Sequence, residues 1–143
     1  MPIDTEVRDD AAGVIYHCYG VMTAKDFLDT NGKFLATPEA VRKWCYSIID
    51  LTAVESMNLG YDDVTHIVEL DKRLADLAPK GTLVAVCSSK DLGFGLARMW
   101  EALVEQLGWE TQIFRTRAEA DLCINLRAKQ KFGLNPSVGP SPS

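Results

Sequence analysis

The sequence predicts a single α/β domain: a sheet of about five strands, mostly parallel with one antiparallel strand, flanked by about four helices. An initial pair of strand-like segments is followed by helix-like and strand-like segments in alternation, and this order favours a parallel sheet covered by helices. The inner strand-like segments are apolar in consecutive positions, as is typical of strands buried on both faces. A chain of 143 residues is long enough to close one core of this kind.

The elements follow in order along the chain. Residues 3–8 and 13–19 are short strand patterns around a polar turn and predict a hairpin. Thr23 and Asp26 form a capping-box pattern that begins the first helix. The later strands are predicted over residues 44–51, 82–87 and 109–114, and helices over residues 62–78, 92–107 and from Thr116 to about Arg127.

The domain is expected to span residues 1–127, and residues 128–143 are expected to form a flexible tail. From Lys129 the sequence reads KQKFGLNPSVGPSPS, which is rich in proline, glycine and serine and has no apolar periodicity. Such a composition cannot bury enough apolar surface to offset the entropy lost on ordering. Phe132 and Leu134 are the two side chains in it that are able to dock on the domain.

Composition excludes several classes of function. The formal net charge is −5 and the basic residues form no stripe, so nucleic-acid binding is not expected. The apolar runs are far shorter than the roughly 20 residues of a membrane span, and the acidic N-terminus is unlike a secretory signal. We therefore expect a cytoplasmic protein with at most peripheral membrane contact. The four cysteines form no CxxC pair, so we expect buried thiols, no metal site and no cofactor.

Three short motifs resemble a known family. Residues 48–55, IIDLTAVE, are similar to the strand and Asp-Leu-Ser-Gly-Val-Asp segment of STAS domains, the fold of anti-sigma-factor antagonists. Gly20-Val21-Met22-Thr23, Asp50-Leu51 and the FGLARMW segment at residues 94–100 resemble a small bacterial STAS-like family that is also similar to CRAL-TRIO lipid-binding domains. The resemblance covers about residues 3–127 and implies a STAS-like domain.

The same resemblance locates a candidate switch loop at Ser56, Asn58 and Gly60. The family's switch is Asp-Ser-Ser-Gly, whose second serine is phosphorylated, whereas an ungapped alignment from Asp50 places Asn58-Leu59-Gly60-Tyr61 there. Gly60 occupies the acceptor position and has no hydroxyl. A phosphate acts by adding about two negative charges, so the usual switch is disfavoured. The alternative function is a partner-switching regulator that uses a displaced hydroxyl such as Ser56.

The candidate ligand-binding residues are Asp50, Phe94, Arg98, Met99 and Trp100. Asp50 ends the predicted third strand, at the sheet edge where α/β folds bind ligands, or else only accepts backbone hydrogen bonds. Arg98 anchors an acidic headgroup at the rim of a pocket lined by the three apolar side chains, or else pairs with Asp91, Glu101 or Asp50. The three apolar side chains are alternatively plain core.

We therefore expect a non-catalytic binding module for a hydrophobic or lipid-like ligand or for a protein partner, including a second copy of the chain. The two histidines lie on unrelated elements, so no catalytic triad is apparent. The helix over residues 62–78 follows Asn58 and Gly60, which predicts a hinge at its start. Its apolar stripe is narrow, which predicts a helix that moves away from the domain and opens the pocket.

Overall fold

The computed structural model describes residues 2–139, in which helices and strands alternate after an initial strand pair. The elements are β1 (Ile3–Val7), β2 (Gly13–Thr23), α1 (Ala24–Leu35), α2 (Pro38–Arg42), β3 (Tyr46–Asn58), α3 (Tyr61–Leu77), β4 (Leu83–Cys87), α4 (Asp91–Val104), β5 (Glu110–Phe114) and α5 (Arg117–Phe132). A 3-10 turn over Glu105–Leu107 continues α4. The structure has one helix more than the four expected from the sequence, namely the short helix α2 that follows Thr37.

The strands form one sheet in the order β1-β2-β3-β4-β5, with β1 antiparallel to β2 and the other pairs parallel. This arrangement confirms the predicted fold class. Consecutive parallel strands are neighbours, and crossovers between such strands share one hand, so the helices that connect them cover the same face of the sheet. Accordingly α1, α3 and α4 pack on one face, and α5, which follows the last strand, covers the other.

The sheet therefore separates two apolar clusters. Side chains alternate along the central strand β3, so that Tyr46 and Ile48 belong to the cluster under α5, and Leu51 belongs to the cluster under α1, α3 and α4. Gly13 permits this packing at the start of β2, because a Cβ atom there would overlap the Tyr46 ring. The predicted inner strands, apolar on both faces, are confirmed in β3 and β4.

The helix starts follow the sequence signals. The backbone N–H of Thr23 donates to Asp26 Oδ2 at 2.8 Å, as the capping-box pattern predicts. Thr116 Oγ1 accepts the backbone N–H of Glu119 at 3.2 Å at the start of α5. These local bonds satisfy N–H groups that have no partner within the helix.

β2 and β3 are longer than predicted. The sequence predicts their ends at residues 19 and 51, but the two strands stay paired from Tyr19 opposite Ala53 to Thr23 opposite Asn58. The register is irregular at His17–Tyr19 and Gly20–Val21, so the pairing continues past two interruptions that a local sequence pattern does not bridge. Asp50 therefore lies inside β3 and does not end it.

The predicted boundary of the tail is also wrong. α5 continues to Phe132, five residues past the predicted end near Arg127, and ends at Gly133 with φ of 68°. The side chain of Asn125 then bonds both the N–H and the carbonyl of Val138, each at 2.9 Å. Val138 is buried against the α5 face of the sheet. Residues 134–139 are thus docked on the domain, and the rest of the predicted tail, residues 140–143, lies outside the described residues.

Two sequence expectations concern the cysteines and membrane spans. Cys18 and Cys87 are buried as predicted, whereas Cys45 and Cys123 are half-buried, so the expectation of burial is correct for two of the four. Within residues 2–139, none of the helices combines the length and the apolar character that crossing a bilayer requires. The same residues contain no group of three or more metal-ligating side chains placed to hold an ion.

Candidate ligand-binding site

A cavity of about 90 Å³ lies between the sheet and the helices α1, α3 and α4. Its lining is mostly aliphatic and aromatic: the sheet contributes Tyr16, Ile49 and Val86, and the helices contribute Phe27, Ile67 and Leu96. The cavity lies over β3, which contributes Ser47, Ile49 and Leu51 to the lining. Connecting segments also contribute to the lining, through Trp44, Leu59 and Trp109.

The cavity reaches the middle of the sheet. Tyr16, Ile49 and Val86 lie side by side in register on β2, β3 and β4. Ile49 is only partly buried although it lies in the central strand, whereas its neighbour Ile48 on the opposite face has no exposed surface. An apolar side chain at the centre of a sheet is normally packed on all sides. The exposure of Ile49 therefore marks a space that the helices leave unfilled.

One carboxyl group lines this cavity. Asp71 of α3 is 4% exposed and accepts two hydrogen bonds, from Trp100 Nε1 to Oδ2 at 2.8 Å and from Asn31 Nδ2 to Oδ1 at 3.2 Å. Burial raises the pKa of Asp71 from its ordinary 3.8 to about 7, although the bond from Trp100 acts in the opposite direction. The group is therefore neutral or negative depending on pH in the physiological range.

Other polar groups beside the cavity have no partner. Four buried side-chain nitrogen or oxygen atoms in the described residues lack a hydrogen bond, and three of them, Ser47 Oγ, Trp44 Nε1 and Trp109 Nε1, belong to residues that line the cavity. A buried donor without an acceptor costs about 1–3 kcal/mol. Each of these atoms has less than 1 Å² of accessible surface, so none of them presents a free donor to the cavity space itself.

The remaining titratable groups of the cavity are neutral. Burial raises the pKa of the Cys18 thiol to about 12. Burial, together with the negative charge of Asp71, also raises the pKa of the Tyr16 hydroxyl. A thiol and a phenol with raised pKa values are protonated at neutral pH, and are neither nucleophiles nor bases there.

Of the candidate residues on α4, the structure brings one to the cavity. Trp100 lines it, and Met99 packs in the same apolar cluster without lining the space. Phe94 lies under the Arg115 guanidinium, whose carbon is 3.9 Å from the ring centroid. Arg98 is 64% exposed and pairs with Glu101 at 3.4 Å, which is the structural alternative weighed for it. The predicted Arg98 anchor at the pocket rim is therefore wrong.

Asp50 lies on the other face of the sheet. Its Oδ1 accepts the backbone N–H of Thr52 at 2.9 Å, and its Oδ2 pairs with Arg117 at 3.1 Å. Burial acts to raise the pKa of Asp50, but the bonds from Thr52 and Arg117 outweigh it and leave the pKa lowered. Arg117 also holds Asp121 at 2.7 Å. Asp50 is thus an ion-paired structural carboxylate, separated by the sheet from Trp100.

The candidate switch loop is mostly strand. Ser56 and Asn58 lie in β3, opposite Val21 and Thr23, and only residues 59–60 connect β3 to α3. Gly60 is the N-cap of α3, with φ of −120°. Ser56 is exposed but is not at a helix N-terminus, where an added phosphate would gain from the helix dipole. The assignment of Ser56 and Asn58 to a loop is therefore wrong.

The prediction of a narrow buried stripe on the pocket helix is wrong as well. α3 buries Val64, Ile67, Val68, Asp71 and Leu74, whereas α4 buries Gly93, Ala97 and Val104. The buried face of α3 is broader than its apolar residues alone indicate, because Asp71 also belongs to that face. Gly60 has an extended backbone that other residues also adopt, so it gives no sign of a hinge.

Sequence reasoning missed Asp71 as a site residue, although a signal for it exists. Val64, Ile67 and Leu74 have the 3-4-3 spacing of a helix face, and position 71 completes that spacing with an aspartate. A carboxylate at a core position of an amphipathic helix requires a partner or a raised pKa. The partners, Asn31 and Trp100, are 40 and 29 residues away in sequence, and no local pattern predicts them.

No family model matches the chain, and no curated protein matches it. Among solved structures it is similar to an uncharacterized protein of the DUF3478 family from Shewanella loihica PV-4, with 17% identity, a TM-score of 0.47, and coverage of 82% of this chain and 88% of that chain. That protein has a SpoIIAA-like fold, which is the STAS-like type of fold that the sequence motifs resemble.

Proposed function

We propose that this domain is a non-catalytic binding module that holds a small, mainly apolar molecule in the cavity between the sheet and α1, α3 and α4. The observation that carries the proposal is a cavity of about 90 Å³ bounded by the central strand residue Ile49. An engineered apolar cavity of about 150 Å³ holds benzene, so a cavity of this smaller size admits a narrow, mainly apolar group. Ligand sites of α/β proteins are typically apolar clefts with a few polar groups, as here.

The chemistry of the lining supports binding without reaction. Ser47 has a hydroxyl but no histidine lines the cavity to activate it, and the pKa of Cys18 is raised to about 12. The partly exposed polar side chains of the lining, Thr30 and Asn31, are suited to hydrogen bonding with a bound molecule. Burial of apolar ligand surface supplies the affinity, at about 25 cal/mol per Å².

1-Hexanol is a suitable probe because its unbranched hydrocarbon chain is narrow and ends in a single polar group. All three tryptophans of the chain line the space, so we expect saturable binding by calorimetry with a parallel change in tryptophan fluorescence. The variant Ala97→Leu is designed to fill the cavity with a larger side chain, since Ala97 of α4 lines it. The matched control is Ala102→Leu, which adds the same atoms at an exposed position of the same helix.

We expect Ala97→Leu to weaken hexanol binding at least tenfold and Ala102→Leu to leave it unchanged. Circular dichroism and urea unfolding verify that both variants fold, and Ala97→Val replaces Ala97→Leu if the larger side chain prevents folding. Absence of saturable binding to the wild-type protein, or equal binding by the filled and control variants, contradicts the proposal. A protein-interaction role would then remain.

A further inference from the structure

The cavity combines aromatic rings with a single carboxyl group. Five aromatic side chains line it: Tyr16, Phe27, Trp44, Trp100 and Trp109. Asp71 is the one acidic residue among the lining residues described, and no lysine, arginine or histidine is among them. Aromatic faces carry partial negative charge and attract cations. Both features of the lining therefore favour a positive charge in the cavity over a negative one.

Asp71 receives no cation from the residues that the structure describes. α1 provides the amide of Asn31, α4 provides the indole N–H of Trp100, and the sheet provides the neutral hydroxyl of Tyr16. Charged groups on the surrounding elements pair among themselves: Lys25 with Asp29, Arg42 with Glu39, Lys72 with Glu69, and Arg98 with Glu101. Lys33 of α1 and Arg73 of α3 are exposed. Within residues 2–139, the buried carboxyl group thus has two neutral donors and no counter-charge.

We propose that the ligand of this cavity is a small apolar amine, whose ammonium group pairs with the Asp71 carboxylate while its hydrocarbon part lies among the aromatic and aliphatic side chains. This inference rests on the proposed function and specifies its ligand class. Each oxygen of Asp71 accepts one bond and has a further lone pair, so an ammonium group is accommodated without breaking the bonds from Asn31 and Trp100.

The same geometry excludes the acidic headgroup expected from the sequence. A carboxylate ligand would meet Asp71 in an apolar space that contains no cation, and Arg98 is exposed and paired with Glu101. A neutral alcohol is tolerated but gains no ion pair. The three chemistries therefore have a definite order of affinity, in which the ammonium binds most tightly and the carboxylate most weakly.

The affinity for an amine depends on pH in a direction that follows from Asp71. Its pKa of about 7 keeps the carboxyl group protonated at pH 5.5, and an ammonium ligand must displace that proton. Affinity for the amine therefore rises as pH increases toward 8, by up to about tenfold per pH unit well below the pKa. Affinity for a neutral alcohol does not rise over this range.

Hexylamine hydrochloride, 1-hexanol and sodium hexanoate are matched probes for calorimetry on the whole chain at pH 5.5, 7.0 and 8.5. For the wild-type protein at pH 8.5, we expect hexylammonium to bind at least tenfold more tightly than hexanol, and hexanoate to bind most weakly. The ¹⁵N–¹H indole resonance of Trp100 is expected to shift on titration with the amine, because its N–H donates to Asp71.

Asp71→Asn removes the charge and keeps an acceptor oxygen for Trp100. We expect it to lower hexylammonium affinity at least tenfold and hexanol affinity less than threefold, while Asp76→Asn, at an exposed position of the same helix, changes neither. If hexanol and hexylammonium bind the wild-type protein equally tightly at pH 8.5, the amine inference is overturned and the proposed function still stands. This comparison needs no variant, and failure of all three probes to bind overturns both proposals.

Discussion

The indole N–H of Trp100 donates to Oδ2 of Asp71 at 2.8 Å and joins α4 to α3 beside the cavity. Asp71 is 4% exposed, so this bond and the one from Asn31 replace the water that a carboxyl group otherwise binds. Two neutral donors do not compensate for the removal of a full charge from water, and for that reason the pKa of Asp71 is raised to about 7. The pair gives the protein a polar contact that is sensitive to pH within its apolar core.

Asp71 is expected to make the stability of the protein fall as pH rises from about 4 to about 8. In this window the folded protein retains the Asp71 proton, because its pKa is about 7, whereas the unfolded chain releases it near the ordinary value of 3.8. A state that binds more protons loses stability as pH rises. The free energy of unfolding of the wild-type protein is therefore expected to fall relative to that of Asp71→Asn, by on the order of 2–4 kcal/mol.

Urea unfolding of both proteins at several pH values measures this difference. The lowered pKa values of Glu6, Asp50 and Glu110 act in the opposite direction at acid pH, but they are common to both proteins and cancel in the comparison. Asp76→Asn on the exposed side of α3 is the control and is expected to parallel the wild-type protein. Parallel pH profiles for Asp71→Asn and the wild-type protein would contradict the raised pKa.

Trp100→Phe is expected to destabilise the protein more than Trp109→Phe does. Both changes replace an indole ring beside the cavity by a phenyl ring, but the Trp100 N–H bonds Asp71 and the Trp109 N–H has no partner. Loss of a partner from a buried carboxyl group costs about 1–3 kcal/mol. Urea midpoints at pH 7 measure the difference, and an equal loss for the two variants would show that the bond contributes nothing to stability.

Arg117→Met is expected to lower the free energy of unfolding by about 1–3 kcal/mol, because it leaves Asp50 and Asp121 close together without their shared cation. Arg98→Met is the matched control, since Arg98 is 64% exposed and pairs only with Glu101. An exposed pair contributes less than about 1 kcal/mol. Thermal and urea unfolding of the two variants test this, and an Arg117→Met protein as stable as Arg98→Met would refute the structural role of the ion pair.

Val138→Ala is expected to destabilise the protein by about 1–3 kcal/mol, as the loss of buried methyl groups usually does. Val138 is 5% exposed and packs in the cluster under α5, and its backbone is held by Asn125. Asn135→Ala, at an exposed position of the same segment, is expected to change stability by less than about 0.5 kcal/mol. A Val138→Ala protein with wild-type stability would restore the prediction of a detached tail.

Much of the fold was predictable because its signals are local. The alternation of helix and strand, the Thr23–Asp26 and Thr116–Glu119 caps and the two-sided apolar strands are encoded within a few consecutive residues. Trp100, a candidate ligand-binding residue from the sequence, lines the cavity. Its partner Asp71 was missed, since a helical periodicity shows that a side chain is buried but not which group meets it.

The sequence by itself determined the elements, their order and the parallel sheet, because helix and strand periodicities and caps act over one or two turns of chain. Only the tertiary structure decided the contacts that connect distant segments. Asp50 pairs with Arg117, 67 residues away, and Asn125 holds Val138 in what the composition predicted to be a tail. The cavity also belongs to this second class, because its shape depends on how three helices pack over one sheet, and no single segment encodes that packing.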